Sequence, residues 1–81
     1  MSAADQLAGV PLPPLVRDHA LKHLERLERA EDAGTVRLAL ERAEGYAEGL
    51  EVILALNPAH VEALYIAFDN TARARLLELE Q

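Results

Sequence analysis

Three histidines, His19, His23 and His60, are the residues in this chain with the most chemistry available to them. His19 and His23 stand one helical turn apart, so both rings could reach one metal ion. His60 would have to come from elsewhere in the fold to complete a zinc or copper site. The HxxxH spacing comes without the glutamate of a metalloprotease motif. The favoured reading therefore places His19 and His23 at the edge of an apolar stripe, snorkelling or hydrogen-bonding. A histidine-based metal-binding protein is the alternative, and no cofactor is expected. Imidazole also titrates near neutrality, which would make an interface pH-sensitive.

A second constellation is acidic. Glu41, Glu44, Glu48 and Glu51 follow one another at spacings of three and four, a ladder along one side of a helix. Arg37 and Arg42 compensate only part of it. Such a strip either meets a basic surface on a partner or is a solvated face between apolar seams. Tyr46, Tyr65 and Phe68 are the aromatic residues, and they read as core or interface anchors. The surfaces expected to bind a partner are Glu41, Glu44, Glu48 and Glu51 together with Tyr65 and Phe68. Arg75 is expected to pair with an acid across an interface. No Ser–His–acid arrangement or glycine-rich phosphate loop is present, so catalysis is not expected.

The elements that carry these residues are helical throughout. The chain has 81 residues and is 51% hydrophobic, dominated by Ala, Leu, Glu and Arg, which is the composition of helices and coiled coils. An all-α fold follows, with helices expected over about 14–33, 35–56 and 58–80 and very short turns between them. Short connections favour antiparallel neighbours, hence a three-helix up-down-up bundle. Gly34 is read as the stop of the first helix and Thr35 as the cap of the second. Asn57-Pro58 is the clearest boundary, a cap followed by proline at the first helical position. Residues 1–13 form an extended, proline-containing lead-in, in which Ala3 to Ala8 could make a turn or two of helix. Residues 14–81 form a single helical domain.

The middle helix has two apolar sides. Val36, Leu40, Ala43, Ala47, Leu50 and Leu54 alternate spacings of four and three, the seam of a packed helix. Leu38, Gly45, Gly49, Val52 and Leu56 line the opposite side. Glycine in a helix interior costs about 1 kcal/mol relative to alanine, and close approach of another helix would offset that cost. A chain this short buries roughly 60% of its unfolded surface, and without cysteine no disulfide can help it. Pairing of two chains is the remaining device. The face bearing Leu38, Gly45, Gly49, Val52 and Leu56 is thus the expected oligomer interface, most naturally that of a homodimer.

Charge narrows the partners. Eight basic residues against fourteen acidic ones give a formal net charge of −6, which disfavours nucleic acid and anionic membranes. No apolar run approaches the ~18 residues of a membrane span. The start, Met1-Ser2-Ala3-Ala4-Asp5, lacks the regions of a secretory signal, so a cytoplasmic protein is expected. The stretch from Ala55 to Tyr65, Ala-Leu-Asn-Pro-Ala-His-Val-Glu-Ala-Leu-Tyr, resembles the boundary between two tetratricopeptide repeats. That resemblance implies helix pairs stacked for peptide binding. It departs from the pattern where Tyr46 replaces a small residue, Phe68 stands at the glycine position and no repeat follows at about 34 residues. Chance reuse of a good helix start is the preferred account. The sequence thus points to a small acidic helical module that binds another protein as a regulator, inhibitor or adaptor. A structural subunit of a helical assembly is the remaining alternative.

Overall fold

Two consecutive prolines set the start of the first long helix. Pro13 is extended (φ −55°, ψ 145°) and Pro14 takes the first helical position, where its missing N–H costs no hydrogen bond. The computed structural model describes residues 3–81, and Met1 and Ser2 of the lead-in lie outside the described residues. Among the described residues four helices are present and no strand: α1 (Ala3–Gln6), α2 (Pro14–Arg29), α3 (Ala33–Val52) and α4 (Pro58–Leu79). The fold is all-α. Each of the three long helices packs on the other two, and α1 lies on α2 and α4. The molecule is 39 Å long and 22 × 18 Å across, and α4 at ~1.5 Å per residue spans about 33 Å of that length.

The helix boundaries correct the sequence reading at two places. First, α2 ends at Arg29, and neither Gly34 nor Thr35 has its expected job. Ala30 is extended (ψ 132°) and its N–H donates to the Leu27 carbonyl. Asp32 is the cap of α3, its carboxylate accepting the Thr35 N–H at 2.7 Å. Asp32 in the extended conformation thus satisfies a donor that the helix start leaves orphaned. Gly34 sits inside the first turn of α3, and its φ is not positive. Second, α3 stops at Val52, four residues short of the expected Leu56. The Leu54 N–H donates to the Glu51 carbonyl at 3.1 Å and the Ala55 N–H to Leu50 at 2.9 Å. These bonds form a Schellman motif, which requires a left-handed residue at its centre. Leu54 supplies it with φ 57°, at a cost of about 1 kcal/mol or more for a side chain with a Cβ. Leu54 is therefore 86% exposed rather than part of the buried seam. Leu56 is turned inward and packs partly buried against the core. Asn57 then caps α4, its side-chain oxygen accepting the His60 N–H at 2.9 Å.

The core follows helical spacing on every element. Ala20, Leu24 and Leu27 are fully buried on α2, Val36, Ala39, Ala43 and Ala47 are buried on α3, and Val61, Leu64, Ala67, Phe68 and Ala72 on α4. The alanine seam of α3 leaves room for large side chains from its neighbours, so Phe68, Leu24, Leu27 and Leu64 fill the centre. The short α1 also contributes, with Leu7 just beyond it completely buried. The Arg17 guanidinium holds this segment in place by donating to the carbonyls of Leu7 and Val10. Gly9 turns the chain between them at φ 79°.

Candidate protein-interaction surface

His19 and His23 lie beside aromatic rings, His23 half-buried and His19 exposed. On α2 they face Tyr46 of α3, with ring centroids 6.0 and 5.1 Å away, and His23 also meets the edge of Phe68 at 6.0 Å. The Tyr46 hydroxyl donates to the Val16 carbonyl at 3.4 Å, which ties the start of α2 to the second half of α3. Burial raises the Tyr46 pKa. Among the described residues no group of three His, Cys, Asp or Glu side chains comes together to hold a metal ion.

The fold favours the neutral form of His23. Burial lowers its pKa first, and the nearby Arg26, Arg42 and His19 lower it further. Arg26 lies 3.4 Å from His23 Nδ1, and a guanidinium can only donate, so that nitrogen accepts. The unfolded chain takes up this proton near the ordinary imidazole value of about 6.5, before the folded one does. Stability is therefore complete above that pH and falls as pH drops through it towards the lower folded value. Thermal melts from pH 8 to 5.5 should show a larger drop in Tm for the wild type than for His23→Gln. Equal drops would clear His23 of any part in it.

The acidic ladder and Tyr65 come together as one surface. Glu41, Glu44, Glu48 and Glu51 are all exposed on α3. Tyr65 of α4 is half-buried, and its phenol pKa is raised by burial and then by Glu51, Glu48 and Glu44. None of these glutamates forms an ion pair in the described structure, where the two salt bridges are Arg73–Asp69 at 3.0 Å and Arg75–Glu78 at 3.4 Å. Phe68 does not belong to the surface. It is fully buried because it lies on the core side of α4, beneath His23. The pairing expected of Arg75 is also corrected. Besides Glu78 on its own helix, its Nε donates to the Ala30 carbonyl at 2.8 Å, satisfying the end of α2 and not an acid of the ladder.

The outer face of α3 is open. Leu38 is 64% and Val52 73% exposed, and a Cβ added at Gly45 or Gly49 would meet nothing within 4 Å. Among the described residues, no second helix approaches these glycines. The apolar face continues past the helix end into Ile53, 71% exposed, and Leu54. Sequence reasoning missed this tip, although five uninterrupted apolar residues before the Asn57 cap are its signal. Towards α2 the face borders a shallow hollow lined by Arg26, Arg29 and Arg42 with Ala30, Leu38 and Ala39. Towards α4 it borders the glutamate ladder. No helix among the described residues is long and apolar enough to cross a membrane. No family model, no curated protein and no solved structure matches the chain.

Proposed function

We propose that this chain is a small, acidic, non-enzymatic interaction module that binds a partner protein and modulates it as a cytoplasmic regulator, inhibitor or adaptor. Its three long helices act as an up-down-up bundle that pairs into a homodimer. The observation that carries the reading is the run of glutamates, exposed and free of ion pairs, beside the half-buried Tyr65. An apolar anchor ringed by unpaired charge is the makeup of a binding hot spot with a steering rim. The complementary partner surface is basic with an apolar slot for the tyrosine ring. Glu44 and Glu51 carry no structural load in the protomer, so they can be reversed without harm to the fold. Capture of the partner from the source cell by wild type should be lost on Glu44→Lys/Glu51→Lys, with the circular-dichroism signal unchanged. Undiminished capture by that variant would overturn the reading.

A further inference from the structure

The outer face of α3 has a stripe, two edges and an end, and together they fix how a second copy of this chain would lie on it. We infer that two copies pair side by side through this face, with their α3 helices parallel and in register across a two-fold axis. This inference rests on the interaction-module reading and specifies its self-interface.

The stripe comes first. Leu38, Arg42, Gly45, Gly49 and Val52 follow at spacings of four and three, the seam of a helix pair. Leu38 and Val52 are exposed at its two ends, and the two glycines between them have open space over their α-carbons. Two such helices can therefore meet at short range in the middle and interlock leucine and valine on either side. In register, Leu38 meets Leu38, Gly45 meets Gly45 and Val52 meets Val52. The exposed Ile53 and Leu54 of both copies then gather at one end of the pair, where each covers apolar surface of the other. That gathering gives the strained, solvent-facing Leu54 a use that nothing within the protomer provides.

The edges choose the orientation. The edge towards α2 is basic, with Arg26, Arg29 and Arg42 around the shallow hollow and Lys22 one turn before Arg26 on α2. The edge towards α4 is acidic on balance, with Glu41 and Glu48 nearest the stripe and Glu44 behind them, and with Arg37 as its one exposed basic residue on α3. An antiparallel two-fold pair would set basic edge against basic edge and acidic against acidic. A parallel pair brings opposite edges together twice. Arg42, within the seam, then lies beside Glu41 of the other copy, and Lys22 and Arg26 lie towards its Glu41 and Glu48. Among the described residues none of these five side chains forms an ion pair within the protomer. Pairing thus consumes Glu41 and Glu48 and leaves Glu44, Glu51 and Tyr65 to a partner.

The chain has no cysteine, so single cysteines report the geometry directly. Leu38→Cys sits on an exposed position and Gly45→Cys adds a Cβ to open space, so neither should disturb folding. A disulfide requires α-carbons within about 7 Å. Under mild oxidation each variant alone should form a covalent dimer, and wild type should sediment at twice the mass of one chain. Arg42→Glu should weaken the dimer at least tenfold, and Arg42→Glu/Glu41→Arg should restore it. Cross-linking at 45 without cross-linking at 38 would mean antiparallel helices, with the two Leu38 positions about 21 Å apart, and would overturn the inference. So would a wild-type chain that sediments as a monomer at every concentration. A monomer that still captures its partner sinks the pairing alone, whereas a cross-linked dimer that captures nothing sinks only the partner reading.

Discussion

Phe68→Ala should leave the chain largely unfolded at 37 °C. Phe68 is the bulkiest of the fully buried side chains, and it sits on α4 against the ring of His23. The buried positions of α3 are Val36 and three alanines, side chains too short to swing in and fill the space it leaves. Truncation of a buried phenylalanine costs about 3–5 kcal/mol when the cavity fails to collapse. At roughly 0.05–0.15 kcal/mol per residue, the whole chain commands only about 4–12 kcal/mol. Urea titration followed by circular dichroism at fixed protein concentration should therefore place the midpoint of Phe68→Ala close to zero denaturant. Phe68→Leu keeps most of the volume and should cost under about half as much. If both variants unfolded at the wild-type midpoint, the centre of the core would lie elsewhere.

Leu7→Ala should be nearly as damaging, though Leu7 belongs to a segment that reads as a lead-in. Leu7 is completely buried, and α1 rests on both α2 and α4. Burying a leucine and then losing it costs about 2–5 kcal/mol. Arg17 grips the backbone on either side of the Gly9 turn, so the segment has few alternative positions from which to refill the gap. Leu15→Ala is the matched control, since Leu15 is exposed on the first turn of α2, and it should stay within about 0.5 kcal/mol of wild type. Equal, small losses for both would make the first residues an ornament. A large loss for Leu7 alone would make them part of the core.

Much of the architecture was legible because amphipathic spacing reports which face is buried, whatever the ends do. The seam through Val36, Ala43 and Ala47, all buried, is of this kind, and Asn57-Pro58 is the one helix end that the sequence marks outright. The ends of helices were harder. Between Ala30 and Thr35 several residues are competent to cap, and Asp32 prevailed over Gly34 and Thr35 because a carboxylate accepts the Thr35 N–H so well. The same bond, first among its causes, lowers the Asp32 pKa. At the end of α3 the misleading signal was leucine itself. A left-handed residue normally announces itself as glycine, so Leu54 and Leu56 looked like the continuation of a helical stripe. The candidate surface was half legible. Spacing put the glutamates on one line and Leu38, Gly45, Gly49 and Val52 on another. It could not tell that Phe68 turns inward while Tyr65 stays beside the ladder, since these aromatic residues on α4 differ only in which neighbour lies opposite.

One contact bears on how the chain folds. The Ala30 carbonyl, at the close of α2, takes its donor from Arg75, 45 residues further on. An α2–α3 hairpin formed early in folding leaves that oxygen to water, and its apolar faces without a lid. The first two long helices therefore gain their last bond only when the final one docks. Such dependence favours all-or-none assembly over a stepwise series of stable intermediates.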